Sequence, residues 1–489
     1  GMSAEDRRYF HIALAIIAAI TAIRVAVLVL SPLDLYPDEA QYWWWSQNPD
    51  WGYFSKPPMI GWVIWLTTAF FGDAEWAIRI GSPLLHAVTS LLLFGIARRS
   101  FDARIGMLTA LAYLTTPGAS YSSGLISTDV PLLFFWATAL YAFLRAMDDP
   151  RWRWAVLAGI AFGLGLEAKY AMFYFLLCAG FAALFSSKAR KVVLSGRGVA
   201  ILVIGLLLLL PNVLWNAARH FPTVAHTEHN ADWGSAHFSL GETASFIGGQ
   251  FGVFGPFLMI GLLLMFWRLM RGPERPQASL VLAAFCAPPL ILIIFQSFIS
   301  EANANWAATA YVAAAPLAVA ALVGLWNSRV LWASFALDGA VMVVLWLVLL
   351  SPSFADGIGL GNAFKRMEGW RELGSAVADE AQAGHYAIIS TSNRSIMAEL
   401  LYYAVPRAAF VRVWDKDLHD DDHFQMTLRL TAPAHRVLMA VSPQEAQMVL
   451  NTFDSHTLAN TITVPIGGRH IRVTQLYDAR DYRGPQTSQ

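Results

Sequence analysis

The sequence has little charge. Only 14% of its 489 residues are Asp, Glu, Lys or Arg, and 56% are hydrophobic, where a soluble globular chain carries roughly a quarter charged residues. That shortage excludes a soluble protein of this size and points to a chain solvated by lipid. An excess of either sign is also missing. The 34 basic residues balance 34 acidic ones, so there is no basic footprint for a nucleic acid. Cysteine is nearly absent. Cys178 and Cys286 lie in apolar runs, which reads as buried thiols rather than a disulfide framework. No P-loop, no G-x-G-x-x-G after a strand and no G-x-S-x-G elbow occurs, which removes the common nucleotide and acyl-hydrolase signatures.

What the chain has is apolar runs. A helix needs roughly 20 apolar residues to cross a bilayer, and runs of about that scale lie near 11–30, 76–97, 105–121, 130–147, 154–168, 171–186, 198–215, 246–267, 279–299, 306–325 and 330–350. That predicts about eleven or more crossings. Met59–Phe71 is apolar but too short, and reads as an interfacial or re-entrant helix. One alternate set of loops carries the basic residues, among them Arg98, Arg99, Arg104, Lys188, Arg190, Lys191, Arg268 and Arg271. The positive-inside rule places that set in the cytoplasm. Asp38, Glu39, Lys56, Asp129, the loop 218–245, Glu301 and everything after Ser351 then lie outside.

The composition changes after Ser351, where charge density becomes ordinary and no span follows. The expected organisation is a transmembrane domain over 10–352 and a small extracytoplasmic α/β domain over 353–489. Strand-like runs occur at Tyr386–Ser390, Ala408–Val413 and Val437–Val441, with helical patterns at Asn393–Val405 and Pro443–Phe453. A hairpin-like pair, Thr461–Pro465 and His470–Gln475, is joined through Gly467-Gly468.

The outer loop after the first run reads Asp34-Leu-Tyr-Pro-Asp38-Glu39-Ala-Gln-Tyr-Trp-Trp-Trp45, with Ser55-Lys56-Pro57-Pro58 close behind. Pro37 suits the first turn of a helix, which puts Asp38, Tyr42 and Trp45 on one face. The acids either serve chemistry or favour the helix N-terminus through its dipole. The tryptophans either line a site or form an interfacial belt, and the belt is the reading adopted. Lys56 opens the short helix, where free N–H groups, the positive dipole end and an ammonium coincide and suit a phosphate. A snorkelling lysine is the structural alternative.

Ser127 or Thr128 can cap the helix that Asp129 and Pro131 open. Asp129 then points into an outer vestibule or packs on another helix end. Glu167 and Lys169 flank the outer end of a span pair, either as functional groups or as a structural pair. Glu301, Asn303 and Asn305 precede Trp306 in the same way. The loop 218–245 holds His220, His226, His229 and His237. His226-x-x-His229 is compatible with a divalent metal but lacks a closed ligand set, and hydrogen bonding to a sugar or phosphate is the competing use.

These motifs, in this order, resemble the GT-C superfamily of polyprenyl-phosphate-sugar-dependent glycosyltransferases, within the protein O-mannosyltransferase and lipid A aminoarabinose or galacturonic acid transferase group. The resemblance rests on Pro-Asp38-Glu39-Ala-x-Tyr42, Tyr53-Phe-Ser-Lys56-Pro57-Pro58, Ser127-Thr-Asp129-Val-Pro, Gly163-Leu-Gly-Leu-Glu-Ala-Lys169-Tyr and Asn303-Ala-Asn305-Trp306. It implies a polytopic α-helical fold and inverting transfer at the periplasmic face of a bacterial inner membrane. The donor would be a polyprenyl-phosphate sugar and the acceptor lipid A or other envelope glycan, with membrane lipids as surroundings and the chain as a monomer. It also implies Asp38, with Glu39 and Asp129, as the catalytic acids. It gives Lys56 the lipid phosphate; read from the residues themselves, Tyr42, Tyr53, Glu167, Lys169, His226, His229, Asn303 and Asn305 are the further substrate-binding candidates. Two departures stand out. The aminoarabinose transferases carry an arginine where this chain has Gln41, and an acid where it has Ser55. A protein acceptor is the alternative, and a lipid or sugar transporter is the competing class.

Overall fold

The computed structural model describes residues 1–235, 238–404 and 409–485. His237 and the 405–408 ends of two expected C-terminal elements lie outside the described residues. The chain divides into two compact units. One comprises Gly1–Val29, Lys56–Val63 and Arg79–Trp346; the other comprises Leu30–Ser55, Ile64–Ile78 and Leu347–Gln489.

The first unit is helical. Among the described residues, six helices are long and apolar enough to cross a membrane: Ala4–Leu30, Glu75–Ser100, Asp129–Asp148, Gly196–Ala217, Gln277–Ile299 and Ser328–Leu350. Shorter apolar helices cover Met59–Phe71, Ala103–Thr115, Tyr170–Phe185 and Ala310–Gly324. Two expected crossings are broken. The run 105–121 stops at Thr115, because Thr116-Pro117 starts a new short helix, Pro117–Ser122. The run 246–267 bends by 109° between Leu240–Phe254 and Pro256–Arg271. Gly255 sits at the bend with φ +95, and a Cβ there would stand 2.7 Å from Asp338 Oδ2. Only glycine takes that backbone and that approach, and Pro256 then begins the second half at a position where its missing N–H costs nothing.

Small residues set the packing near the candidate site. Gly159 and Gly163, one turn apart on the helix Trp152–Ala168, face the helix Gly196–Ala217. A Cβ at Gly163 would stand 2.7 Å from Leu208 Cβ and 3.0 Å from Gly205 Cα. Close backbone approach through small residues is the usual way helices associate in lipid. It fixes the C-terminal end of that helix, where Glu167 and Lys169 lie. The core between helices is filled by Trp136, Phe143, Phe162, Phe175 and Phe285.

The second unit is built on a mixed five-stranded sheet. Its strands are β1 (Ile388–Thr391), β2 (Phe410–Val413), β3 (Ala434–Val441), β4 (Phe453–Pro465) and β5 (Ile471–Tyr482), in the order β2-β1-β3-β5-β4. β1 is parallel to both β2 and β3, and β5 is antiparallel to β3 and β4. The hairpin is longer than its sequence pattern predicts. The expected helix 443–453 shrinks to Ala446–Leu450, because Phe453 already belongs to β4. The amphipathic helix Trp370–Ala383 is an addition to the expected elements.

Two early segments are built into this unit. The Asp34 carboxylate accepts the backbone N–H groups of Trp370 and Arg371 at 3.0 and 3.1 Å, and Asp34 N–H donates to Met367 O at 2.8 Å. Leu35 N–H donates to the Tyr403 hydroxyl at 2.7 Å. Trp43 Nε1 donates to Asp73 Oδ1 at 3.0 Å, and Tyr402 donates to the Asp73 carbonyl. Residues 30–55 and 64–78 thus share a compact unit with residues 347–489.

Candidate active site

In the second unit, Pro37 takes the first turn of the helix Pro37–Ser46, as its fixed φ favours. The next two acids then part company. Glu39 is fully buried, and its Oε1 accepts the Tyr36 N–H at 3.1 Å. This carboxylate holds the helix start, the role a capping box gives it. Asp38 is about one-third exposed, and its Oδ1 accepts from Arg394 Nη1 at 3.1 Å. The same Nη1 donates to the side-chain carbonyl of buried Gln41. Arg394 opens the helix Arg394–Tyr403 directly after β1, with Asn393 capping Ile396 N–H at 3.0 Å. The end of a parallel strand leading into a helix is a favoured place for ligands in α/β sheets.

Two aromatic residues of the sequence pattern have structural work. Tyr53 is buried, donates to Trp45 O at 2.9 Å and stacks on Trp45 at 4.7 Å with the rings 3° from parallel. His423 meets both rings edge-on and accepts the Phe54 N–H through Nδ1 at 3.1 Å. Tyr42 is buried against Trp45, with ring centroids 5.3 Å apart. Trp43 and Trp45 are 7% and 1% exposed, so they are not the lipid-facing belt expected of them. Asp73, Tyr53 and Tyr402 give them partners instead.

In the helical unit, Asp129 begins the helix Asp129–Asp148. Thr128, one of the two candidate caps, makes no side-chain cap. The Asp129 carboxylate is held on both oxygens, by Lys169 Nζ at 2.8 Å and by Asn305 Nδ2 at 2.7 Å. Lys56 lies within electrostatic reach of the same carboxylate. Lys169 reaches Asp129 because the helix ends at Ala168 and Lys169 turns to extended backbone. Lys169 therefore pairs with Asp129 and not with Glu167, its partner in the structural one of the two readings. Glu167 is 1% exposed, and neither of its carboxyl oxygens has a hydrogen-bond partner among the described residues. Asn303 precedes the 3₁₀ turn Ala304–Ala307 and is exposed.

His226 and His229 lie on the helix Pro222–Ala231. His226 Nε2 stands 3.3 Å from Asn230 Nδ2. Among the described residues, no group of three or more His, Cys, Asp or Glu side chains is arranged to hold a metal.

Comparisons with known proteins bear on the family and the fold. A family profile described as dolichyl-phosphate-mannose-protein mannosyltransferase matches residues 55–215. The lipid A galacturonosyltransferase RgtD of Rhizobium johnstonii is 36% identical over 394 residues, covering 80% of this chain and 82% of that one. The chain belongs to the GT-C superfamily of glycosyltransferases. A second relative, the lipopolysaccharide core galacturonosyltransferase RgtA of the same organism, is 28% identical over 41% of this chain and 40% of its own. The GT-C fold also extends over nearly the whole molecule. The crystal structure of ArnT from Cupriavidus metallidurans bound to undecaprenyl phosphate superposes with a TM-score of 0.65 at 17% identity, covering 96% of this chain and 99% of that one.

Arg394 is the residue that sequence reasoning on this GT-C chain missed. Its signal was a cation in the first turn of a helix, the end where the helix dipole disfavours it, immediately after a strand.

Proposed function

We propose that this enzyme moves a hexuronosyl group from a polyprenyl-phosphate donor to a lipid A-type acceptor, at the periplasmic face of a bacterial inner membrane and with inversion at the anomeric carbon. The observation that carries the reading is the set around Asp129. The Lys169 ammonium and the Asn305 amide hold one carboxylate, and a second ammonium, Lys56, lies within electrostatic reach of it, which leaves a local surplus of positive charge beside a helix start. Lipid phosphate is an anion of that kind.

The reaction needs little from the protein beyond charge and position. The acceptor oxygen forms a bond to the anomeric carbon, and the bond from that carbon to the phosphate oxygen breaks with its electron pair leaving on phosphate. Lys56, at the start of the helix Met59–Phe71, stabilises the charge that develops there. When the acceptor is a hydroxyl, Asp38 takes its proton. When it is an ionised phosphate, Asp38 orients it. A cavity of about 1030 Å³ in the helical unit, lined by Leu177, Phe181, Phe251, Leu262, Phe266 and Ile291 among others, gives an isoprenoid chain apolar room. The basic loops between spans favour the orientation given. The 36% identity to a lipid A galacturonosyltransferase favours the sugar and the acceptor.

The test is transfer in vitro. Purified protein, a polyprenyl-phosphate hexuronoside and lipid A are expected to yield a hexuronosylated lipid A by mass spectrometry. Lys56→Gln is expected to raise KM for the donor roughly tenfold or more. Product on a Ser/Thr peptide but not on lipid A would move the reading to protein O-glycosylation.

A further inference from the structure

The Arg394 guanidinium is only half used. Nη1 donates to Asp38 Oδ1 and Gln41 Oε1, while Nε and Nη2 make no hydrogen bond among the described residues. The side chain is 37% exposed. Gln41, by contrast, is buried at 3% exposure and fixes the inner edge of the group. The remaining edge is the one that matches a carboxylate with two parallel N–H donors.

The acids nearby do not occupy that edge. Asp38 takes the other one. Asp422 lies within electrostatic reach of Arg394, but its Oδ1 accepts the Gln425 N–H at 2.8 Å and caps the helix His423–Thr427. Nor does one bound carboxylate exclude a second. Arg429 in the same unit holds Asp415 and Asp420, each at 2.6 Å.

We propose that Arg394 is a specificity-determining residue: its free edge binds the carboxylate of the transferred sugar and so selects a uronosyl over a neutral hexosyl donor. This rests on the transfer reaction proposed above. A uronic acid carries its carboxylate on the ring carbon beside the ring oxygen, and that oxygen is bonded to the anomeric carbon. A guanidinium joined to the reactive acid through one nitrogen can therefore reach the carboxylate with its other edge while Asp38 faces the reacting end.

The experiment compares two donors on the full-length protein: a polyprenyl-phosphate hexuronoside and the matching neutral hexoside. The readout is the ratio of their kcat/KM values. Wild type is expected to prefer the uronosyl donor. Arg394→Gln is expected to lower that ratio on the order of ten- to a hundredfold, the scale of a lost charged hydrogen bond. Arg394→Lys keeps a cation beside Asp38 but lacks the fork, and is expected to lower the ratio too. If Arg394→Gln does not accumulate as folded protein, Arg394→Lys decides. Equal losses on both donors would make Arg394 a positioning residue for Asp38 and overturn the proposal. A wild-type enzyme without donor preference would also overturn it while leaving glycosyl transfer intact. Wild-type protein inert toward both donors would overturn the transfer reading itself.

Discussion

Lys169 Nζ donates to Asp129 Oδ1 over 2.8 Å, with both side chains largely shielded from solvent. A shielded pair behaves asymmetrically. Removing one partner strands the other, whereas removing both charges together costs much less. Lys169→Gln is therefore expected to destabilise the detergent-solubilised protein by about 3 kcal/mol. The double variant Asp129→Asn, Lys169→Gln should recover much of that loss. A thermal-unfolding double-mutant cycle checks it, and strict additivity of the single effects would sink the assignment.

Asp38→Asn keeps an acceptor for Arg394 Nη1 and changes little in shape. Transfer to a hydroxyl acceptor is expected to fall by about 10²- to 10⁴-fold, the usual worth of a positioned general base. Unfolding temperature should stay near wild type. A purified variant that turns over at the wild-type rate would remove Asp38 from the mechanism.

Asp34 gives the protein a pH dependence. Burial pushes its carboxyl up to about 6 from the ordinary value of 3.8, against the lowering effect of the Arg371 and Trp370 N–H groups and the Arg371 charge. The folded state thus holds this proton more tightly than the unfolded chain. Its stabilising contribution is complete below about pH 4 and is lost as pH rises through about 6. The size of the shift corresponds to on the order of 3 kcal/mol. Stability of the second unit, followed by hydrogen exchange at Trp370 and Arg371, should fall across that window. Asp34→Asn, which keeps an acceptor and cannot ionise, should flatten the profile; an unchanged slope would show that the dependence arises elsewhere.

Gly163→Ala places a methyl group against Leu208 Cβ at 2.7 Å and Gly205 Cα at 3.0 Å. Overpacking of this kind costs typically about 1–3 kcal/mol. The strain falls on the helix that ends at Ala168, so Lys169 should also lose register with Asp129. A lowered unfolding temperature together with a raised donor KM is expected, and an unchanged donor KM would separate the helix contact from the site.

The charged groups were legible because polar residues beside apolar spans are rare and costly. Asp38, Lys56 and Asp129 stood out for that reason alone, and the helix starts at Pro37 and Met59 followed from local turn chemistry. What escaped was non-local. In sequence Glu39 reads like Asp38, yet its carboxylate accepts the Tyr36 N–H. The tryptophans looked like a belt because hydropathy does not reveal that Asp73 and Tyr53 lie ready to pack with them. Gly255-Pro256 bends an apolar run whose composition reads as one span. Arg394 could be matched to Asp38 only in three dimensions, since 356 residues separate them.

That separation bears on how the protein comes into being. The helix Pro37–Ser46 is among the first parts of the chain to be synthesised, while its partners Tyr402, packed on Trp43, and Arg394, bonded to Asp38, emerge more than 350 residues later. Contacts of such sequence distance form late. The acidic loop must therefore wait, unclosed, through insertion of every intervening span. A chain cut short before residue 394 lacks the guanidinium that Asp38 pairs with, so assembly itself leaves this carboxylate without that partner until synthesis is nearly finished.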